Sequence, residues 1–537
     1  MQPVPRSSQI TGYDGMNARR LLIASILVNA ALYSVLLPLW EGFDEPFHFA
    51  YVQQLANGQG LPDARTARLS DEVGTSLMFA PASPVVRQNI PQVTTYSQYF
   101  EWPAPRRLEA QRRLSEIPIP ARWRLSPFPN YEAQHPPLAY LLLAAPERLL
   151  AALPLPLRVA SLRVMAAVFG ALLLFAGAVR LFTQFRIPAS YQACALFCVF
   201  SCQMTWATLA HVGNDWLAVP LAIWTLVALN AYAARPSVRG GAGAAAVLAA
   251  GLLTKAYCLA FLPWFAGVFV WRRQGRAMGA AALVLGGLAG PWYVRNLALY
   301  GVLTGTQEAR AGLTLAQVLR ATPDLRWPTV IASSIRSALW TGNNTFLPFS
   351  AGTLNLVALI VVTALLLWLW GHHATAEWIA FGYCVSFALA LAYAAIVSHL
   401  DSRGGLPFVE PWYTQVLAAP VLGLALLGAS RRPTVGRFAA ASLVLLFGYV
   451  LASTYWLKLI PLYGGYEGRM SPSAVTQLYG HRLRELTGNL NTVALAPAAV
   501  IYSLAGLTLV LIAVQQMALI GHVFDREDTP GRGELTD

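Results

Sequence analysis

Ten apolar runs, each long enough to cross the roughly 30 Å hydrocarbon core of a bilayer, follow one another along the chain. Lipid offers the backbone no hydrogen-bond partners, so a spanning segment must be a helix or a strand of a closed barrel. The runs lack the apolar and polar alternation of barrel strands. They lie at about 21–40, 159–182, 188–209, 216–234, 278–298, 353–370, 377–398, 412–429, 437–456 and 493–520, and two shorter runs, 241–254 and 256–271, predict a hairpin. We therefore expect an all-α polytopic membrane protein with about 12 transmembrane helices, in the range 11–13.

The composition agrees with this assignment. Of the 537 residues, 56% are hydrophobic and only 12% are charged, and the mean hydropathy is +0.49. A net charge of +13 suggests nucleic acid as a partner, but the stretch 41–156 has ten Arg against eleven Asp and Glu, so most of the excess lies in short loops. The chain has no G-x-x-x-x-G-K-[ST] loop for a nucleoside triphosphate and no strand followed by G-x-G-x-x-G for a dinucleotide. Their absence argues against a nucleotide-linked sugar as a substrate.

Arginine placement predicts the orientation, because short cytoplasmic loops retain positive charge. The arginines between the runs fall on alternate sides: Arg19 and Arg20, Arg180 and Arg186, Arg235 and Arg239, Arg272, Arg273 and Arg276, and Arg431, Arg432 and Arg437. We assign that side to the cytoplasm, and the segments 41–156, 301–351 and 457–492 to the outside. The expected location is a bacterial inner (plasma) membrane, with any active site facing the periplasm or exterior.

The same pattern divides the chain into four parts. Residues 1–20 are a cytoplasmic N-terminus and 521–537 a cytoplasmic tail. Residues 21–300 form a first transmembrane module that includes the outer loop 41–156. Residues 301–520 form a C-terminal transmembrane region with the outer loops 301–351 and 457–492.

The first outer segment, residues 41–156, is much longer than an ordinary connection, and loops of that length are usually functional or disordered. Asp44 can cap a helix, Pro46 suits its first turn and Asn57-Gly58 provides a stop, so we expect a helix at about 45–57. Its apolar residues fit a helix lying on or against the membrane surface. A second surface helix is expected at 137–151, because a span there would reverse the arginine pattern of every later loop.

Two polar clusters lie at the expected outer face. Asp44 and Glu45 are adjacent directly after the first run, and His48 follows one helical turn later, which gives a compact acid, base and metal-capable group. The alternative is that Asp44 is only a helix cap and Glu45 a favourable first-turn acid. The second cluster, His-Val-Gly-Asn-Asp-Trp at 211–216, begins a later run, and Asn214 or Asp215 there is again either a cap or a site residue.

Lysine is rare in this chain, since Lys and Arg total 38 and only Lys255 and Lys458 are lysines. Lys255 lies between two apolar half-runs, and a charge embedded in a membrane is a functional candidate. At an outward break between short helices it would suit a phosphate, which needs a counter-cation where solvent is scarce. The alternative is a lysine that extends to the membrane interface. Arg295, at the outer end of a later run, is a second candidate phosphate ligand.

Other polar residues complete the candidate set. Tyr293 and Asn296 flank Arg295, and His135 precedes two prolines. A divalent metal would find candidate ligands in Glu45, His48 and His135, although no pair of them has a spacing diagnostic of zinc. The remaining outward candidates form no interpretable motif: Asn343, Asn344, His399, Asp401, Arg403, Glu410, Tyr413 and Arg469.

Five short motifs, taken in order, resemble the GT-C membrane glycosyltransferases, and in particular the branch of protein mannosyltransferases and aminoarabinose transferases. They cover roughly residues 20–300, and beyond these only the hydropathy pattern agrees. The motifs are Phe43-Asp44-Glu45-Pro46-Phe47-His48, His135-Pro136-Pro137-Leu138, Asn214-Asp215, Leu253-Thr254-Lys255, and Pro291-Trp292-Tyr293 with Arg295-Asn296.

The resemblance implies that 21–300 is a GT-C-like catalytic module that binds a polyprenyl-phosphate sugar at the outer face and uses an acidic residue of the first outer loop. Asp44 and Glu45 match that catalytic position, and Lys255 and Arg295 would bind the donor phosphate. The substrate-binding site would be lined by His48, His135, Asn214, Asp215, Tyr293 and Asn296. Because the chain lacks a recognisable soluble C-terminal domain, we expect a lipid or polysaccharide acceptor rather than a protein.

The expected reaction is a single displacement that inverts the anomeric carbon. Asp44 would deprotonate the acceptor hydroxyl as it attacks, and Lys255, Arg295 or a divalent metal would stabilise the departing phosphate. The alternative function is a multi-span transporter or a lipid flippase, which would have an internally repeated helix pattern and a midplane site. The sequence shows neither feature, and no nucleic-acid partner is expected.

Overall fold

The structure is a computed structural model that describes residues 10–306, 309, 312–402, 409–466 and 471–525. Within these ranges the chain is mostly helical. The first eight helices in chain order are α1 (Ile10–Leu36), α2 (Glu45–Ala56), α3 (Asp71–Ser76), α4 (Pro84–Asn89), α5 (Tyr96–Glu101), α6 (Ala104–Ser115), α7 (Leu138–Leu149) and α8 (Leu155–Gln184). Next come α9 (Ala189–Ser201), α10 (Gln203–Leu209), α11 (Asp215–Ala234), α12 (Val238–Leu252), α13 (Leu262–Trp271), α14 (Gly275–Leu288) and α15 (Gly290–Tyr300).

The C-terminal region is built in the same way. It contains α16 (Leu315–Ala321), α17 (Trp327–Leu339), α18 (Ala351–Leu369), α19 (Thr375–Asp401), α20 (Gln415–Ser430), α21 (Pro433–Ser453), α22 (Ile460–Tyr463), α23 (Pro472–His481), α24 (Leu483–Leu490) and α25 (Ala498–Phe524). Single 3-10 turns lie at Ile119–Trp123, Tyr131–Gln134, Ala256–Phe261, Thr322–Asp324, Asn343–Thr345 and Pro411–Thr414, and a π-helical turn at Thr454–Leu459 joins α21 to α22.

Eight helices in the described part of the chain are long and apolar enough to cross a membrane. They are Arg19–Leu36 of α1, α8, α11, α18, α19, Pro411–Ser430, Pro433–Tyr463 and α25. Two bent pairs, α9 with α10 and α14 with α15, would raise the number to ten, and α12 and Ala256–Trp271 are apolar but shorter. All the predicted apolar runs coincide with helices, so the chain is a multi-pass helical membrane protein. The number of about 12 spans stays a prediction.

Both bent pairs were predicted as straight runs. The 51° bend between α14 and α15 falls beside Pro291, whose missing N–H and ring interrupt a helix. The 60° bend between α9 and α10 falls at the extended residue Cys202. There Thr205 Oγ1 and Trp206 Nε1, each 2.8 Å from its acceptor, donate to the carbonyls of Val199 and Phe200, so side chains satisfy backbone oxygens that the interrupted helix leaves unpaired.

Helix α2 begins and ends where the sequence predicted, but its surroundings differ from the expectation. Protein covers it, and ten of its 12 residues are buried. It packs against α7 and against the turn Tyr131–Gln134, with the rings of Tyr51 and Tyr140 stacked at 4.1 Å. Because protein covers α2 on nearly every side, the prediction of a helix on the membrane surface is wrong for α2. Helix α7 has 12 residues, or roughly 18 Å, too short to span a bilayer.

A buried network of four charges attaches the first outer segment to the start of α8. Arg158 of α8 pairs with both Glu72 of α3 and Glu147 of α7, and Arg122 donates to Glu147 at 3.3 Å. Gln53 of α2 donates to Glu72 at 2.5 Å. A two-stranded antiparallel sheet, β1 (Arg68–Ser70) with β2 (Leu125–Pro129), closes the segment. These contacts give α2 a fixed position over the ends of the long helices.

The long helices pack in a chain of neighbours. Helix α1 packs against α8 and α25, α8 against α11, and α11 against α12, which packs against α14. In the C-terminal region α20 packs against α9 and α18, and α21 against α9 and α25. Helix α2 meets α8 through Glu45 and Arg163, and its His48 lies 6.4 Å from the ring of His211, which follows α10.

Candidate active site

Asp44 lies in the turn between α1 and α2 and has a left-handed backbone, with φ of 51°. Aspartate tolerates this conformation better than most residues do. Its side chain makes no capping bond to α2; instead Oδ1 accepts a 2.6 Å hydrogen bond from the hydroxyl of Tyr131. Asp44 therefore occupies the N-cap position of α2, but its side chain bonds Tyr131 rather than capping the helix.

Glu45, the first residue of α2, is fully buried and paired with Arg163 of α8. The Nε of Arg163 donates to Oε1 at 2.7 Å, Nη2 donates to Oε2, and the backbone N–H of Val212 donates to Oε1 at 3.0 Å. Burial raises the pKa of Glu45, but the charge and hydrogen bonds of Arg163 lower that pKa by more. With both oxygens engaged, Glu45 holds the turn in place.

Arg163 also donates to the backbone of that turn. Its Nη1 is 2.7 Å from the carbonyl oxygen of Leu37, and its Nη2 is 2.8 Å from that of Pro38. On the other side of the turn, a Cβ at Gly42 would lie 2.4 Å from the Cβ of His211, so only glycine fits. The backbone that precedes Asp44 is thus fixed from both sides.

A second buried carboxylate, Glu132, lies among imidazole rings. Its Oε2 is 2.7 Å from Nε2 of His135 and 3.4 Å from Nδ1 of His48, and that Nδ1 also bonds the hydroxyl of Tyr140 at 2.8 Å. Burial raises the pKa of Glu132, but the adjacent imidazoles lower it by more. Burial lowers the pKa of His48 to about 3.

The pKa values of the two carboxylates in this cluster, Asp44 and Glu132, shift in opposite directions. Burial raises the pKa of Asp44 to about 6, and the negative charge of Glu132 adds to the rise. The hydroxyl of Tyr131 and the charges of Lys255 and His135 oppose it, since each stabilises the ionised form. Asp44 is therefore a carboxylate whose pKa is near physiological pH, and it lies beside Glu132, a carboxylate that stays ionised.

Lys255 and Asp215 form a buried ion pair in the same cluster, 2.6 Å between Nζ and Oδ2, with side chains 4% and 2% exposed. Lys255 lies in the predicted break, between α12 and the turn Ala256–Phe261, and its Nζ faces the rings of Tyr413 at 4.9 Å and Tyr257 at 5.4 Å. Neither Asn214 nor Asp215 caps α11 with its side chain. Asn214 nevertheless occupies the N-cap position of α11, and Lys255 is buried in protein rather than extended to the interface.

The motif at 291–301 lies beside this group. Arg295 donates from Nη2 to the carbonyl of Pro62 at 2.9 Å and lies over Trp292, 5.0 Å from the ring centroid. The hydroxyl of Tyr293 donates to the carbonyl of Leu252 at 3.0 Å, next to the Lys255 break, and Asn296 donates to the carbonyl of Thr304. Tyr293 therefore connects α15 to the backbone beside Lys255, whereas Asn296 bonds the loop that follows α15.

Several buried polar atoms near these residues have no hydrogen-bond partner in the part of the chain that the structure describes. They are Nδ1 of His135, Nε2 of His211, Oδ1 of Asp215, Nε1 of Trp292, Nη1 of Arg295 and the hydroxyl of Tyr257. An unpaired buried polar group costs about 1–3 kcal/mol, and so many in one region indicate a place that a polar ligand or water completes.

In the part of the chain that the structure describes, no group of three or more His, Cys, Asp and Glu residues is arranged to hold a metal ion. The proposed ligands are divided, because Glu45 faces Arg163 while His48 and His135 face Glu132. Of the other outward candidates, Arg403 and Arg469 lie outside the described residues. Asn343 and Asn344 belong to a separate buried network around Glu41, in which Thr345 and Tyr96 donate to that carboxylate.

Tyr131, Glu132, Tyr140 and Arg163 were not candidates from sequence. Arg163 had a usable signal, because it is a charge inside the predicted run 159–182. Glu132 lies three residues before His135, which on its own indicated nothing. The contact between Tyr131 and Asp44 joins residues 87 apart and no local pattern predicts it.

Comparison with known proteins gives structural neighbours only. No family model and no curated protein sequence matches the chain. The structure is similar to that of ArnT from Cupriavidus metallidurans bound to undecaprenyl phosphate, with 13% identity and a TM-score of 0.47 over 96% of this chain and 78% of that one. It is also similar to the arabinosyltransferase EmbB from Mycobacterium smegmatis, with 13% identity and a TM-score of 0.42 over 97% of this chain and 42% of that one.

Both TM-scores lie below 0.5, so neither likeness is support for an activity of this chain.

Proposed function

We propose that the protein is an integral-membrane glycosyltransferase that moves a sugar from a polyprenyl-phosphate donor to a hydroxyl of a lipid or polysaccharide. The main observation in support is one buried cluster in which Asp44 has a raised pKa, Glu132 a lowered pKa, and Lys255 supplies a cation. Pairs of carboxylates with displaced pKa values are typical of acid and base catalysis, and a buried lysine suits a phosphate.

Asp44 is the proposed general base. As the acceptor oxygen bonds to the anomeric carbon, the acceptor proton passes to Asp44, and the bond from that carbon to the phosphate oxygen breaks with its electron pair on the phosphate. Attack opposite to the leaving group inverts the anomeric centre. Tyr131 and the turn fixed by Glu45 and Arg163 hold the carboxylate in position for this transfer.

Lys255 and Arg295 are the proposed phosphate ligands. Arg295 has a free Nη1, and an ammonium such as that of Lys255 has three donors, of which one goes to Asp215. Positive charge at the departing oxygens lowers the barrier because phosphate gains charge in the transition state. The polyprenyl tail would lie along the apolar faces of the long helices. His48, His135, Asn214, Tyr293 and Asn296 would contact the sugar or acceptor.

The test compares purified wild type with Asp44→Asn and with Asp71→Asn, a matched change at a partly exposed carboxylate that pairs with Arg124. Each is given a panel of polyprenyl-phosphate sugars and a membrane extract as acceptor source, and donor loss is followed by mass spectrometry. We expect wild type and Asp71→Asn to consume one donor, and Asp44→Asn to be at least about 100-fold slower.

Equal consumption by a folded Asp44→Asn variant would contradict the role of Asp44 but not the transferase. Consumption of no donor by wild type would contradict the proposed function and favour the transporter alternative.

A further inference from the structure

The ion pair between Lys255 and Asp215 is incomplete. Asp215 Oδ2 accepts from Lys255 at 2.6 Å, whereas Asp215 Oδ1 is buried and has no hydrogen-bond partner among the described residues. The Nζ atom also lies over the faces of two tyrosine rings. A buried pair that is only half satisfied adds little stability, so stability alone does not explain Asp215.

We propose that Asp215 sets the charge of the phosphate that the site retains, favouring the donor over the spent carrier. This inference rests on the proposed function. If Lys255 binds the donor phosphate, the carboxylate of Asp215 lies next to that phosphate, because both contact the same ammonium. Its negative charge then repels whichever phosphate is bound, and repels a doubly charged phosphate more than a singly charged one.

The reaction changes the phosphate charge in this direction. The donor is a phosphodiester with one negative charge. When the acceptor proton moves to Asp44 and the sugar bond breaks, the carrier becomes a phosphomonoester, whose charge at neutral pH is about −1.5 to −2. Asp215 thus penalises the product more than the donor, which promotes release of the spent carrier and limits product inhibition.

A positioning role for Asp215 predicts a different result. If the carboxylate only holds Lys255 in place, removing it would weaken binding of both phosphates to a similar degree. If it sets the charge preference, removing it would strengthen binding of the phosphomonoester in particular. The ratio of the two affinities therefore separates the two roles.

The experiment uses two probes of equal chain length, a polyprenyl phosphate and its methyl phosphodiester, and measures their Kd values for the purified protein at pH 8. We expect Asp215→Asn to raise the affinity for the phosphomonoester, relative to the phosphodiester, roughly tenfold or more. Asp215→Glu should keep the wild-type ratio. Glu116→Gln, which removes one charge from an exposed side chain just after α6, should keep it as well.

A parallel loss of affinity for both probes, or an unchanged ratio, would overturn the proposal. If Asp215→Asn does not fold, Asp215→Ser gives the same comparison with a smaller neutral residue. Failure of wild type to bind either probe would instead contradict the proposed function, so the two failures are distinguishable.

Discussion

At the scale of single residues, Asp44 predicts an acidic limit to activity. A general base acts only when deprotonated, and burial raises the pKa of Asp44 from an ordinary 3.8 to about 6. We therefore expect kcat/KM to be constant above that pH and to fall about tenfold per pH unit below it. Tyr131→Phe removes a hydrogen bond that stabilises the ionised carboxylate, so it should raise the pKa of Asp44 further. The acidic limb of the pH profile of kcat/KM should then move to higher pH.

The control for this prediction is Tyr96→Phe. Tyr96 donates at 2.9 Å to Glu41, a different buried carboxylate whose pKa burial raises to about 7. Loss of the hydroxyl of Tyr96 should leave the acidic limb of the kcat/KM profile, which we assign to Asp44, at the same pH. A limb that moves with Tyr96→Phe but not with Tyr131→Phe would assign the titration to Glu41 and contradict Asp44 as the base.

The sequence predicted the residues whose chemistry is local. Asp44, His48 and Lys255 were recognisable because each lies in a short motif beside an apolar run. Only tertiary contacts show that the side chain of Asp44 bonds Tyr131 rather than capping α2, and that Lys255 pairs with Asp215 rather than extending to the interface. Sequence also gave Glu45 a catalytic position, whereas its contacts with Arg163 favour a positioning role.

At the scale of elements, the junction of α1, α2 and α8 depends on the pair Glu45–Arg163. Glu45→Gln leaves the guanidinium of Arg163 buried without its counter-ion, which should cost about 3–5 kcal/mol of stability and lower the melting temperature. Arg163→Met should cost a similar amount. The double variant should cost clearly less than the sum, because no charge is left unpaired.

Thermal melting of the three variants in detergent, followed together with activity, checks this prediction. Glu109→Gln, at an exposed ion pair of α6, is the matched control and should leave the melting temperature unchanged. If Glu45→Gln keeps the wild-type melting temperature but loses activity, Glu45 acts in catalysis and the positioning role is wrong.

Elements were predictable where one physical rule determines them. The length of an apolar run is set by the bilayer, so the long helices appear near their predicted bounds. The bend at Cys202 was not predictable, since no proline or glycine marks it and side chains satisfy the interrupted backbone. The burial of α2 escaped prediction because its cover comes from segments that are distant in sequence, including β1 and α7.

At the scale of the whole molecule, the arginine pattern predicts which ends of the long helices face outward, and the proposed site requires that the first outer segment be exposed on that side. The chain suits a cysteine-labelling test, because four of its five native cysteines are buried and Cys384 is half-buried in α19. Background labelling should therefore be low. Suitable probes are Leu125→Cys on β2, where the native side chain is 65% exposed, and Gln274→Cys in the exposed turn before α14.

With a membrane-impermeant maleimide, Leu125→Cys should be labelled in spheroplasts, whereas Gln274→Cys should be labelled only after lysis. The reason is electrostatic: Arg272, Arg273 and Arg276 surround Gln274, and positive loops of this length stay in the cytoplasm. The unmodified protein is the control for native cysteines. The reverse pattern would place Asp44 and Lys255 at the cytoplasmic face, and the proposed donor would then have to be bound from that side.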